Sequence, residues 1–209
     1  MTARLIGEMT LKVLGFAKGR ACGECRHIVL QDGNSFALHD GVREVFPGRC
    51  KVVKPAAVEL HTTMDLLCDT PTTVVLTPDT TNAQAFLPEP AALRASVLLA
   101  DRGSLDLHSM RRVQDEGGFL LIRAQAGMHP QVVEACREDG TRLRSRRNKP
   151  LQAIHATLPK RQRVARVVAW QVEKHALRLR LLLSWNRQTK ECCSVLTTLP
   201  AKRSHLDMI

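Results

Sequence analysis

The feature that most constrains the fold is an apolar run at residues 96–100, Ser-Val-Leu-Leu-Ala, which leads directly into Asp101. A short run without polar alternation is typical of a strand that is covered on both faces of a sheet. A second run, His-Ile-Val-Leu at residues 27–30, leads in the same way into Gln31 and Asp32. The pattern therefore predicts a sheet with two buried strands, each of which is followed by an aspartate.

The segments around these two runs give the order of the other elements. Gly33 and Asn34 are expected to end the first strand, and residues 35–46 favour a short helix with Ser35 as its N-cap. An order that alternates strands with helices predicts a mixed α/β fold with parallel and antiparallel strands. The periodicity predicts a hairpin of two strands at residues 56–67 and 72–77, followed by a helix at 88–93. After the buried strand at 96–100 it predicts a second helix at 105–113 and another buried strand at 119–122.

The last third of the chain differs from the rest in charge. Residues 141–209 contain 16 Lys and Arg against 3 Asp and Glu, whereas residues 1–140 contain 15 against 17. Three runs in this part alternate, and the leucines at 177, 179 and 181 alternate with arginines as in a half-buried antiparallel strand. We expect a core over residues 1–130 and a basic, β-rich insertion over residues 131–209.

A strongly cationic segment favours a polyanionic partner, because neutralised phosphates release counterions. The alternative is a solvated basic surface that only keeps the protein soluble. Seven basic residues are candidates for contacts with a duplex backbone, best taken as a group: Arg144, Arg146, Arg147, Lys149, Lys160, Arg161 and Arg163. Arg102 and Arg123 are further candidates for DNA contacts, and Arg123 can equally be a surface charge at the end of a strand. Aromatic residues make up only 3% of the chain, which argues against recognition of single strands by base stacking.

Several classes of protein are disfavoured by composition. Apolar residues make up 44% of 209, which is enough for a folded core. The longest apolar runs fall short of the roughly 18–20 residues that span a bilayer, and residues 1–20 favour an amphipathic helix over a signal peptide. We expect a cytoplasmic protein without a membrane partner. The seven cysteines do not form a secreted disulfide pattern, and a lone Cys22–Cys25 pair favours structural thiols over a metal site.

Asp32 and Asp101 are the residues best placed to carry chemistry. If their strands are neighbours, the two carboxylates meet at one place and can bind a hard divalent cation through oxygen. Such ions activate an attacking hydroxyl and stabilise the leaving oxygen in phosphodiester chemistry. The alternative is structural, because Asp-Gly is an ordinary turn dipeptide and an aspartate after a strand often caps a helix. For His39 and His61 a structural role is favoured over a place near the carboxylates.

Five stretches together resemble the transposases of bacterial insertion sequences, in particular the insertion-sequence-four group of DDE enzymes. They read IVLQDGNSFAL, KPAAVELHTTMDLL, LLADRGSLDL, FLLIRAQAGMHP and RLRLLLSWNRQTKE. The resemblance implies a ribonuclease-H-like fold, a mixed sheet flanked by helices, with a β-rich insertion. Asp32 matches the first catalytic, metal-binding aspartate, on the first strand. Asp101 matches the second, after the fourth strand, with Arg102 and Gly103 completing its motif.

The resemblance also implies an activity. Enzymes of this group use Mg²⁺, or Mn²⁺, to cut double-stranded DNA at transposon ends and to join the ends to a target. The sequence departs from the group at Ser104, where an aromatic residue is usual, and the third motif, a helix with Tyr, Arg, Glu and Lys, has no match up to Ile209. We therefore expect a transposase fragment that is inactive by itself.

Other interpretations stay open. The chain can be a non-catalytic basic DNA-binding module, which predicts salt-sensitive DNA binding that is indifferent to both aspartates. It can also be a translated remnant that does not fold stably, which a cooperative thermal transition would exclude. The sequence does not decide whether the chain forms a homodimer, or whether a second polypeptide supplies the third carboxylate.

Overall fold

Ten strands form one sheet in the computed structural model of this protein. The model describes residues 25–50, 52–68, 70–101, 107–123, 131–137, 141–142, 144, 149–150, 164–172, 175–186 and 191–199. The strands are β1 (His27–Ala37), β2 (Pro47–Cys50), β3 (Lys54–Asp65), β4 (Thr70–Pro78), β5 (Ser96–Ala100), β6 (Phe119–Arg123), β7 (Gln131–Arg137), β8 (Val164–Val172), β9 (His175–Asn186) and β10 (Glu191–Thr197). The described helices are α1 (Leu107–Asp115) and three 3₁₀ helices, Asp40–Val42, Ala83–Phe86 and Pro90–Leu93.

The strand order is β2-β3-β1-β5-β6-β10-β9-β8-β7, and β4 pairs with β3 on the same edge as β2. Only the β1–β5 and β5–β6 pairs are parallel, and the remaining pairs are antiparallel. The predicted mixed α/β fold is therefore confirmed. The helices expected on the faces of the sheet are sparse in the described residues, where α1 is the one α-helix.

The sheet has two faces, which we call A and B. Because side chains alternate along a strand, Val29, Gln31 and Gly33 of β1 lie on face A, and Leu30 and Asp32 lie on face B. The core on face A is covered by α1 and the 3₁₀ helix Pro90–Leu93, and comprises Leu93, Leu98, Ala100, Met110, Val113, Leu120, Ile122, Val132, Leu177, Leu179, Leu181 and Leu196. The core on face B comprises Cys25, Ile28, Leu30, Val97, Leu99, Leu121 and Leu199.

The strands of the basic segment belong to the same sheet as the first half of the chain. β10 pairs with β6, and the leucines of β9 are buried in the face A core together with those of β5 and β6. The three alternating runs predicted as strands are thus strands β8, β9 and β10. The predicted boundary at residue 130 lies in residues 124–130, outside the described part, as does the predicted helix of residues 1–20.

The first strand and the segment after it differ from the prediction. β1 does not end at Gly33 and Asn34 but continues to Ala37, and the helix predicted for residues 35–46 with Ser35 as its cap is wrong. The reason is pairing with a distant segment, since Asn34 lies opposite Leu60 and the β3 backbone supplies the hydrogen bonds. After β1 the chain forms a 3₁₀ turn, Asp40–Val42, capped by the side chain of His39.

The hairpin, the buried strands and the later helix are close to their predicted positions. The hairpin is β3 and β4, the strand at 96–100 is β5 with every residue buried, and the strand at 119–122 is β6. The helix at 105–113 is α1, two residues later at each end, while residues 88–93 hold only a 3₁₀ turn. In the described ranges, no helix has the length and hydropathy that a membrane crossing requires.

Candidate functional site

Asp32, Asp101 and Arg123 lie in one row across the three parallel strands. Gln31 of β1 is in register with Ala100 of β5, and Ala100 is in register with Ile122 of β6. Asp32 follows Gln31, Asp101 follows Ala100, and Arg123 follows Ile122. Since facing residues of adjacent strands point to the same side of a sheet, all three side chains belong to face B.

The two aspartates differ in their position relative to their strands. Asp101 directly follows β5, as predicted for a residue after a buried strand; β5 is the fifth strand because the short β2 precedes it. Asp32 was also expected after a strand but lies inside β1, where the pairing with β5 ends and the pairing with β3 continues. On one side Asp32 therefore pairs with β3. On the other side the pairing of β1 with β5 ends at the preceding residue, Gln31, and Asp101 is the residue that follows β5.

The carboxylate of Asp32 is only partly satisfied. Its Oδ1 accepts a hydrogen bond of 3.0 Å from the backbone N–H of Gly33, while Oδ2 is buried and has no hydrogen-bond partner among the described residues. Burial and the neighbouring charge of Asp101 raise the pKa of Asp32 above its ordinary value, and the Gly33 bond opposes this in part. The register of β1 and β5 agrees with this, since Asp32 and Asp101 follow the paired residues Gln31 and Ala100.

A buried carboxylate oxygen without a partner is what a divalent cation would satisfy. Asp32 and Asp101 offer oxygen ligands of the kind that Mg²⁺ prefers, so the residues fit such an ion. No group of three or more His, Cys, Asp or Glu able to hold a metal occurs among the described residues. The pair alone would leave further ligand positions for water and phosphate.

Two polar neighbours of Asp32 on face B were not predicted from the sequence. Thr62 of β3 is directly opposite Asp32, and Asn34 follows two residues later along β1. The two-residue period would have placed Asn34 on this face had β1 been predicted to run through to Ala37. The position of Thr62 depends on the β1–β3 register, for which the sequence carries no local signal.

Face A behind Asp32 carries a polar network. Arg49 donates to Oε2 of Glu59 at 2.7 Å, and its backbone N–H donates to Asp79 Oδ2 at 3.2 Å. His61 is buried, bonds Thr77 Oγ1 at 3.0 Å and stacks on Phe86 at 4.2 Å. His61 is thus a satisfied structural histidine, on the face of the sheet opposite to Asp32.

The structure brings one of the predicted basic residues to the carboxylates and places others elsewhere. Arg123 is exposed in the row with Asp101, while Arg144 and Lys149 are exposed in the segment after β7. The carbonyl of Lys149 accepts from Val132 of β7. β7 is five strands from β5, roughly 25 Å away at ~4.8 Å per strand. The six others, Arg102, Arg146, Arg147, Lys160, Arg161 and Arg163, lie outside the described residues.

Fold and site together define a mixed α/β protein with a pair of carboxylates at the end of its parallel strands. The chain matches no protein family and no curated protein sequence. Among solved structures, it is similar to a cryo-EM structure of the piggyBac transposase synaptic complex with hairpin DNA, with a TM-score of 0.42 and 9% identity. The similarity covers 87% of this chain and 36% of that one, so this chain spans about a third of that protein's length. A likeness of this extent does not assign the chain to a family.

Proposed function

We propose that this chain is part of a DDE transposase of the insertion-sequence-four type, which cuts and joins DNA with the help of divalent metal ions. The observation that carries the proposal is the row on face B, in which Asp32 and Asp101 follow Gln31 and Ala100, the last residues that pair β1 with β5. These are the two residues whose surroundings in the sequence resemble the first two catalytic motifs of that group. Their convergence is a property of the tertiary structure that the resemblance requires.

The strand arrangement supports a ribonuclease-H-like core. β1 lies in the middle of β4-β3-β1-β5-β6, with an antiparallel hairpin on one side and two parallel strands on the other. The first carboxylate is then on the first strand, and the second follows the neighbouring parallel strand. The sparse helices are the feature of the described residues that departs from the expectation.

In the proposed site Asp32 and Asp101 would hold Mg²⁺ or Mn²⁺ through their carboxylate oxygens. The bound ion would supply an activated hydroxyl nucleophile and charge stabilisation at the phosphate. Arg123, next in the row, would bind the DNA backbone close to the carboxylates. Asn34 and Thr62 add uncharged oxygen donors on the same face.

We further propose that these 209 residues have little strand-cleaving activity by themselves. The described residues place two carboxylates in the row, and no group of three metal-binding side chains occurs among them. A site with two carboxylates in place of the three of a DDE enzyme has less negative charge and binds Mg²⁺ more weakly. Magnesium-dependent nicking by the purified chain that Asp32→Ala abolishes would show that this part of the proposal is wrong.

The proposal is tested by binding of Mn²⁺ to the purified chain, followed by electron paramagnetic resonance and by calorimetry. Asp32→Ala and Asp101→Ala should each weaken binding at least about tenfold, because each removes half of the charge at the site. Asp115→Ala is the matched control, since Asp115 is an exposed carboxylate on α1 that pairs with Arg111. Equal affinity in all four proteins would overturn the metal site.

The second candidate is a non-catalytic basic module that binds double-stranded DNA. The exposed Arg144 and Lys149 and the formal charge of +11 favour it. Under this alternative, DNA binding falls with salt but does not respond to Mn²⁺ or to substitution of Asp32 and Asp101. Under either function the partner is double-stranded DNA, transposon ends and target in the first case, and the location that fits is the nucleoid in a bacterial cytoplasm.

A further inference from the structure

β4 forms an edge of the sheet that faces outward. It pairs only with β3 among the described strands, and its opposite side has no strand beside it there. Residues 71–74 and 76 are exposed, and the side chains of Val74 and Leu76 are among the most exposed large apolar ones, at 59% and 62%. The edge therefore presents both apolar side chains and backbone groups to its surroundings.

The hydrogen bonds near Ala57 show which backbone groups point outward. Ala57 donates to Phe46 at 3.0 Å and accepts from Asp79 at 3.1 Å, so its N–H and C=O both point towards the β2 and β4 side. In an antiparallel pair the direction of the backbone N–H and C=O groups alternates from one residue to the next. Thr77 and Val75, which lie opposite Glu59 and His61, therefore direct these groups towards β3 and form the hydrogen-bonded pairs. The N–H and C=O groups of the intervening residues, 74 and 76, then point away from β3.

The composition of β4 leaves this edge without the usual protection. Its sequence, TPTTVVLTP, has no charged residue, whereas edge strands commonly carry lysine or another charge that blocks pairing. Pro71 and Pro78 stand at its two ends, where the missing N–H limits pairing to the residues between them. The free segment is short, uncharged and rich in β-branched residues, which favour strand pairing.

We propose that β4 is a homodimer interface, at which it pairs antiparallel with β4 of a second copy about a two-fold axis through Val75. In this register Val74 of one copy lies opposite Leu76 of the other. The outward N–H and C=O groups of these two residues form hydrogen bonds with each other. The uncharged strand is compatible with its own copy, because no like charges meet. Val74 and Leu76 share face B with Leu60, which is directly opposite Leu76 on β3, so pairing brings the apolar side chains of both copies together.

A second copy fits this edge better than an unrelated peptide, because one two-fold operation satisfies the same groups on both partners and closes the assembly at two. Each chain has one β4 edge, so the interface does not propagate. The β4 edge lies on the far side of β3 from the β1–β5 pairing, so pairing of two copies there depends neither on metal binding nor on DNA.

Sedimentation equilibrium of the whole chain over a concentration series tests the proposal. Wild type should associate to a dimer, and Leu76→Lys should weaken association at least about tenfold by placing two cations at the pairing edge. Val52→Lys is the matched control, because Val52 is 91% exposed in the turn between β2 and β3 and carries the same change in charge. A monomer up to ~100 µM, a larger assembly, or a dimer that tolerates Leu76→Lys would overturn the proposal.

Two further pairs of variants test the register and keep the result independent of folding. Val74→Pro removes an outward N–H and should weaken the dimer while the far-ultraviolet circular dichroism is retained, whereas Val75→Pro removes a bond to β3 and should lower the unfolding temperature. In a background with serine at the exposed Cys50 and Cys68, oxidised Val75→Cys should yield a disulfide-linked dimer on a non-reducing gel, because position 75 faces its own copy. Val74→Cys faces Leu76 of the second copy and should not. Equal cross-linking of the two variants would exclude this register, and a dimer that tolerates Val74→Pro would exclude the edge.

Discussion

The carboxylate of Glu59 occupies the space beside Gly33: its Oε1 lies 2.8 Å from the point where a Cβ at residue 33 would be. Glu59 is buried on face A and held by its 2.7 Å bond from Arg49, so it cannot move aside freely. Gly33 is not a turn residue, since it lies within β1. A Cβ at residue 33 would therefore have to displace the end of the Glu59 side chain.

Replacement of Gly33 by alanine should lower the free energy of unfolding by roughly 1–3 kcal/mol, as overpacking of a filled site does. Urea denaturation of the purified variant measures the change. In a Glu59→Ala background the space is open, so the cost of Gly33→Ala should fall clearly below its value in wild type. Equal costs in the two backgrounds would show that Glu59 does not set the requirement for glycine.

Replacement of Arg49 by methionine should destabilise the protein by roughly 1–3 kcal/mol, because Glu59 and Asp79 would remain as buried charges without their partner. The cost stays in this range because Arg49 itself is about half exposed and solvent screens its charge. Arg111→Met is the control, because its pair with Asp115 lies on the surface of α1 and should contribute about 0.5 kcal/mol or less. Thermal denaturation of both variants tests the difference.

Asp32→Asn should stabilise the protein at pH 7 in metal-free buffer. The pKa of Asp32 is raised in the folded state, so the unfolded chain loses its proton first as pH rises, and the stability of wild type falls from the ordinary pKa upward until the folded carboxyl has ionised too. The asparagine carries no such penalty. The gain should disappear below the ordinary carboxyl pKa of about 3.9, where both states are protonated.

Melting temperatures of wild type and Asp32→Asn between pH 3 and pH 8, with a chelator present, measure this effect. Asp115→Asn is the control, because Asp115 is exposed and paired with Arg111, so its replacement should bring no gain at pH 7. A lower melting temperature for Asp32→Asn at pH 7 would contradict the expected sign.

Arg123→Ala should weaken binding to duplex DNA and reduce the slope of log K against log salt by about 1, as loss of one phosphate contact does. The control is Arg112→Ala, since Arg112 is an exposed arginine on α1, which covers face A, and it lies near Glu89. Fluorescence anisotropy at several salt concentrations gives both slopes. An unchanged slope for Arg123→Ala would remove the row on face B from the DNA interface.

The elements predicted with success are those whose pattern is local. The apolar run of β5, the period of α1 and the alternation in β9 each reflect a burial pattern that a few consecutive residues reveal. Asp101 was predicted directly after a buried strand for the same reason, whereas Asp32 lies inside β1 and not after it. Their roles as catalytic residues and metal ligands remain proposals.

The errors concern residues whose structure depends on distant partners. Gly33 and Asn34 have the composition of a strand end, yet β3 pairs with them and extends β1 to Ala37. The local pattern of residues 35–46 favours a short helix, but residues up to Ala37 pair with β3 instead. Local propensity is a weak signal, and pairing between strands overrides it.

By itself, the sequence determined the buried strands, the basic last third and the two motifs around Asp32 and Asp101, because composition and period are written in adjacent residues. Only the tertiary structure decided that β5 lies beside β1, that Arg123 joins the carboxylates in one row, and that β4 leaves an uncharged edge. Strand order and register depend on contacts between residues far apart in the chain, and these contacts have no local signature.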